Sequence, residues 1–126
     1  MSRRKRFNRL SEAKQLAKQL LLHRVWDGLS QSNVADAIGV TFQQYQKVER
    51  CQNRLYAEQL LCMCNSFKWD PAIIMQADPV ETLNEWEENK PKSGKAGIDS
   101  SLKKIRKKFY AIENNAYKNY FNEKKI

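Results

Sequence analysis

Apolar residues recur every three or four positions along most of the chain, which is the spacing of one helix face. No run alternates apolar and polar residues long enough for a strand. The pattern predicts an all-α fold: a five-helix domain over residues 10–76 with a helical C-terminal extension. Ser11 is placed to cap a first helix running to about Asp27, with Ala13, Leu16, Ala17, Leu20 and Arg24 on one face and Gly28 at its end. Ser30 caps a second helix from Gln31 to about Ile38, with Val34, Ala35 and Ile38 inward. Gly39 makes a turn, and Thr41 caps a third helix from about Phe42 to Arg50, in which Tyr45 and Val48 face the core. A polar loop over 51–55 leads to a fourth helix from about Tyr56 to Phe67, and Asp70-Pro71 starts a short fifth carrying Ile73, Ile74 and Met75.

Beyond residue 76 the pattern loosens. Residues 77–99 form an acidic extension and linker, with a turn or two of helix around Leu83 and Trp86 and a Lys/Pro/Gly/Ser run after it. Residues 100–126 return to helical spacing, with Leu102, Ile105, Phe109 and Ile112 on one stripe. Asn114-Asn115 breaks it before a last piece carrying Tyr117, Tyr120 and Phe121.

One surplus stands out. Leu21, Leu22, Val25 and Trp26 lie outside the face that the first helix turns to the five-helix core. Either they bury against the C-terminal helices of the same chain or they form a subunit interface. Matched against Leu102, Ile105, Phe109 and Ile112, they suggest a joint surface that holds a dimer.

Charge changes the picture from fold to partner. The 126 residues carry a formal net charge of +9. Residues 1–76 hold 12 Lys/Arg against 6 Asp/Glu, residues 77–91 hold 1 against 5, and residues 92–126 hold 10 against 3. Basic ends around an acidic middle point to a polyanion, double-stranded DNA first. Residues 1–9 read as a basic arm, in which Arg3, Arg4, Lys5 and Arg6 are placed for phosphate contact.

Other chemistries find little support. Cys51, Cys62 and Cys64 do not form a disulfide framework, and with His23 as the only histidine no zinc set is expected. There is no nucleophile with a nearby base, no carboxylate pair and no phosphate loop, so neither an enzyme nor a cofactor is expected. No signal core or membrane span is seen, which places the protein in the cytoplasm.

The segment from Gly28 to Arg50, with Ala35 at the helix crossing, Gly39 in the turn and Thr41-Phe42-Gln43-Gln44 opening the third helix, resembles the Cro and phage-repressor (XRE) family of helix-turn-helix regulators. The resemblance covers about residues 10–76. Its third helix would read the major groove through Phe42, Gln43, Gln44, Gln46 and Lys47, where a glutamine amide pairs with adenine. Gln31, Arg50 and Arg54 would meet phosphates. The resemblance also implies a buried ion pair between Arg24 and Glu49. Two positions depart from it: Cys51 and Lys68 stand where the family usually has glycine, and the loop at Cys51 is expected to be shaped differently. The implied function is a homodimeric, sequence-specific transcription regulator on a palindromic operator. One alternative is an antitoxin-type DNA-binding protein whose C-terminal tail grips a toxin partner. Another is a protein-interaction adaptor, against which the polar face of residues 42–47 argues.

Overall fold

A computed structural model describes residues 9–89 and 96–114, with side chains for 10–89 and 102–114. The described residues form seven helices: α1 (Arg9–Trp26), α2 (Gln31–Ile38), α3 (Phe42–Glu49), α4 (Ala57–Phe67), α5 (Pro71–Gln76), α6 (Pro79–Glu88) and α7 (Ala96–Glu113). The basic residues Arg3, Arg4, Lys5 and Arg6, and the aromatic group Tyr117, Tyr120 and Phe121, lie outside the described residues.

The short helices start where their capping residues sit. The Ser30 hydroxyl accepts from the Asn33 N–H while the Asn33 side chain accepts from the Ser30 N–H, at 3.0 and 2.9 Å. Thr41 and Gln44 repeat the same reciprocal pair at the start of α3, at 2.9 and 3.1 Å. Asp70 accepts from the Ala72 N–H, with Pro71 following at the first helical position. Asp78 caps α6 in the same way through the Glu81 N–H. By contrast α1 is already helical at Arg9, so Ser11 lies inside the first turn and does not cap it.

Two turns are made with a side chain where glycine would cost less. Cys51 and Lys68 have φ of 62° and 61°. At each, the following N–H reaches back to a carbonyl five residues earlier: Gln52 to Lys47 at 2.8 Å and Trp69 to Cys64 at 3.2 Å. Both residues hold the left-handed conformation that glycine adopts most readily. Those turn bonds satisfy carbonyls at the ends of α3 and α4, and the strain of a Cβ at positive φ is borne there.

The eight consecutive residues Ala17 to Arg24 are all buried. A buried run longer than two helical turns means that α1 is enclosed on every side, not packed along one stripe. It touches α3, α5, α6 and α7. Two apolar clusters meet across it. One gathers Leu20, Val34, Ala35, Tyr45, Val48, Leu60, Met63, Trp69 and Ile74 from α1 to α5. The other gathers Ala17, Leu21 and Leu22 of α1 with Cys51, Leu83 of α6 and Leu102, Ile105, Phe109 and Ile112 of α7.

Residues 77–89 thus hold more helix than their composition suggests. α6 is ten residues long. It is held to α1 because Gln19 donates to the Ala77 carbonyl at 2.9 Å and to the Thr82 hydroxyl at 3.1 Å. The far side of α6 is tied to α7 where Arg106 donates to Asn84 at 3.2 Å and pairs with Glu87.

Candidate nucleic-acid interface

The α2–α3 pair is fixed before any ligand arrives. Val34 and Ala35 of α2 and Tyr45 and Val48 of α3 are buried in the first cluster. Gly39, at φ 71°, turns the chain between them, and its N–H and that of Val40 close back onto Ala35. A Cβ at Gly39 would meet nothing within 4 Å, so backbone conformation alone selects glycine there.

Beneath α3 lies a buried ionic knot. Arg24 and Glu49 pair through two hydrogen bonds, one of them Nη2 to Oε1 at 3.0 Å. Their side chains are 9% and 4% exposed, so both charges are withdrawn from water. Two further bonds join the pair to its surroundings: Arg24 Nη1 donates to the Leu29 carbonyl at 2.8 Å, and Gln31 Nε2 donates to Glu49 Oε1 at 3.0 Å. Added hydrogen bonds of this kind offset part of the cost of withdrawing both charges from water. The knot joins α1, the turn before α2, and the end of α3. Burial first, and the adjacent Glu49 carboxylate second, hold the Tyr45 phenol well above its usual range, so it stays neutral.

The outer side of α3 exposes Phe42, Gln43, Gln44 and Lys47, with Arg50 at its C-cap, whereas Gln46 is only half exposed. Successive residues turn by 100°, so Gln43, Lys47 and Arg50 form the central stripe and Phe42, Gln44 and Gln46 its flanks. Gln44 is further constrained, since its Oε1 accepts from the Thr41 N–H. A bidentate contact to adenine needs both ends of the amide. Gln44 therefore reaches a base fully only by releasing its cap, while Gln43 carries no such duty. Of the five side chains expected on this face, Gln43 and Lys47 stand at its centre, and neither takes part in the Thr41–Gln44 cap.

Polar groups border that face on both sides. Toward α4 lies a groove of about 520 Å³ with Gln44, Gln52, Asn53, Arg54 and Gln59 on its walls beside Ile38, Val40, Val48 and Leu55. Toward α1 and α7 lies a smaller cavity of about 90 Å³ lined by Gln31, Gln46, Glu49, Arg50 and Lys108. Arg54 thus lines the groove on the α4 side, Arg50 stands at the C-terminal end of α3, and Gln31 sits at the start of α2 with its amide already committed to Glu49.

Leu21, Leu22, Val25 and Trp26 meet Leu102, Ile105, Phe109 and Ile112 inside a single chain. The ridge and the tail thus pack on one another within the chain, with Val25 and Trp26 partly exposed at the margin. Of the α7 members, none is more than 6% exposed.

Sequence reasoning gave no part to Trp69 or Gln19. Trp69 Nε1 donates to Asp27 Oδ2 at 2.7 Å, and the ring packs on Phe67 and His23. His23 in turn meets Trp86, which packs on Trp26. This aromatic chain connects the end of α4 to α1 and α6. A tryptophan directly after a helix end was the available signal, but its partner lies 42 residues away. Among the described residues, no group of three or more His, Cys, Asp and Glu is placed to hold a metal. No described helix is long and apolar enough to cross a membrane.

Part of the chain has known relatives. It is 39% identical over 61 residues to an uncharacterised HTH-type transcriptional regulator, y4wC, of Sinorhizobium fredii, a match covering 48% of this chain and 40% of that protein. It is 33% identical over 67 residues to a second uncharacterised HTH-type transcriptional regulator of the same organism, y4aM, covering 53% of this chain and 47% of the relative. The chain therefore spans less than half the length of these curated relatives. No family model matches it, and no solved structure matches it. The two similarities extend over stretches of about the length of the α1–α5 head.

Proposed function

We propose that this chain is a sequence-specific DNA-binding transcription regulator of the Cro/phage-repressor (XRE) type, acting through binding and not catalysis. The observation that carries this reading is α3. It is capped at its start, braced from below by the Arg24–Glu49 knot, and presents Gln43 and Lys47 outward between two polar borders. A rigid helix with amide and ammonium groups on its free face suits the major groove. The two relatives named as HTH-type transcriptional regulators favour the same reading.

In this reading Gln43 and Lys47 contact bases, with Phe42, Gln44 and Gln46 beside them, while Arg50 and Arg54 meet the phosphates that flank the groove. Gln31 acts mainly by holding Glu49 and placing the start of α2 against the backbone. The basic arm, with Arg3, Arg4, Lys5 and Arg6, adds sequence-independent attraction. A homodimer on a palindromic operator belongs to the same proposal, because a head this small reads few base pairs alone and two-fold symmetry doubles its contacts.

The test is selection of bound duplexes from random DNA with purified protein. A consensus made of two inverted half-sites supports both reading and symmetry. An unsymmetrical consensus removes the dimer. Absence of any enriched sequence removes sequence-specific binding.

A further inference from the structure

The second cluster accounts for the inner face of α7 but not for its lysines. Lys103, Lys104, Lys107 and Lys108 are all exposed. Among the described residues none of the four has a carboxylate partner. The other charged side chains described on the helix are engaged: Arg106 pairs with Glu87 on the α6 side, and Glu113 pairs with Lys14 and Lys18 near the start of α1.

The four lysines are not equivalent. Leu102, Ile105, Phe109 and Ile112 point to α1. At 100° per residue, Lys103 and Lys107 then point straight out, and Lys104 and Lys108 fall on one flank, opposite Arg106. The structure shows what that flank faces. Lys104 and Lys108 border a groove of about 290 Å³ with Arg24, Gly28 and Leu29, the turn that leads into α2. Lys108 also borders the 90 Å³ cavity with Gln31, Gln46 and Arg50, at the start of α2 and the end of α3. The one carboxylate lining these two spaces, Glu49, is neutralised by Arg24. The flank is therefore a cationic strip that continues the α2–α3 face without a break.

We propose that the Lys104–Lys108 flank of α7 is a further DNA-backbone contact, which takes the phosphates of the strand lying against the start of α2. This rests on the DNA-binding reading above and assigns the C-terminal helix a direct part in it. The start of α2 offers helix-end N–H groups and a positive dipole end to that strand. Lys104 and Lys108, one helical turn apart, extend the same polarity beyond Gln31. The apolar stripe of α7 fixes their position, so burial of Ile105 and Phe109 against α1 serves to aim the two ammonium groups.

The experiment uses the full chain, a duplex recovered by selection, and an unrelated duplex of equal length. Binding to each is measured from low to moderate salt for wild type, the Lys104→Gln/Lys108→Gln variant and the Lys103→Gln/Lys107→Gln variant. The two variants remove the same charge from exposed positions of the same helix. The inference expects the 104/108 variant alone to lose close to two units of log–log salt slope, at about 0.9 per phosphate contact. It also expects weaker binding to both duplexes by the same factor, with the preferred sequence unchanged. An unchanged slope overturns it. So does an equal loss in the 103/107 variant, which would reduce the effect to net charge. If wild type fails to prefer the selected duplex while still binding DNA with these slopes, the sequence-reading proposal fails and the backbone contact stands.

Discussion

The two apolar clusters on either side of α1 are built by different means. On the α2–α5 side, short helices are each fixed by a local signal: Ser30 with Asn33, Thr41 with Gln44, Asp70 with Pro71. That side also encloses a charged knot. On the α7 side, an eighteen-residue helix brings a continuous Leu/Ile/Phe stripe, and polar contacts sit at its margins, Lys14 and Lys18 with Glu113 at one end and Arg106 with Glu87 along its flank. The first construction sets angles, as a groove-reading pair of helices requires. The second sets area and leaves angle to the partner surface. A binding face that must hold its geometry belongs on the first, and a prop for it belongs on the second.

The sharpest way to break the contrast is at Glu49. Glu49→Ala leaves Arg24 buried without a counter-charge, and denaturant unfolding should show a loss of roughly 3–5 kcal/mol. A double variant, Arg24→Met with Glu49→Leu, should recover most of it. If the single change costs no more than a surface substitution, the knot is not what orders the α2–α3 side.

Ile105→Ala attacks the other side. A loss of about 2–5 kcal/mol is expected from the missing side chain and the void it leaves. Hydrogen exchange should show α6 and α7 opening while α2 and α3 keep most of their protection. Uniform loss across all helices would mean that the two sides unfold as one unit and the contrast has no energetic content.

His23 stands between the sides, and its effect is smaller. It is 3% exposed, held between Trp69 and Trp86, with Nδ1 donating to the Gln19 carbonyl at 2.7 Å. Burial lowers its pKa below the ordinary 6.5, despite opposing effects of that hydrogen bond, Asp27 and Asp70. The unfolded chain then takes up a proton as pH falls through about 6.5, while the folded chain does so only further down. Stability from this group is complete above that range and declines as pH drops below it. Urea midpoints at pH 7.5 and 5.5 should differ in that direction, and His23→Leu should reduce the difference. A larger acid loss in the variant would contradict the assignment.

The smallest effect distinguishes two residues of like backbone. Lys68 is exposed at φ 61°, so Lys68→Gly should raise stability by about 1 kcal/mol through relief of strain. Cys51 has the same φ but is 5% exposed within the second cluster, so Cys51→Gly trades strain for lost packing and should gain less. Equal gains in thermal melts would show that the Cys51 side chain contributes no packing.

The same division explains what was legible in the sequence. The caps at Ser30, Thr41 and Asp70 and the turn at Gly39 depend on residues within four positions, so α2, α3 and α5 could be read directly. The pairing of Leu21 and Leu22 with Ile105 and Phe109 could be seen as matched apolar residues, but periodicity gives a face and not its neighbour, so it does not choose between a contact within one chain and one between subunits. The Gln19 bonds that hold α6 join residues about sixty positions apart and leave no local trace. Gln44 is instructive in the other direction. Thr41-x-x-Gln44 is a capping pattern in plain view, yet its place on the exposed side of α3 pointed to base contact first.

The enclosure of α1 also has a consequence in time. The first described helix is covered by the last, and Lys14 meets the Glu113 carbonyl across 99 positions of chain. On a ribosome adding about 5–20 residues per second, Leu21 and Leu22 wait for roughly 5–20 s after α1 is made before the stripe of α7 exists. The α2–α5 helices can assemble in that interval, but one flank of their central helix stays bare and able to stick to other nascent chains. Low temperature, which slows elongation, lengthens the exposure. Yield of soluble protein should therefore depend on the pace of translation as well as on the stability of the finished fold.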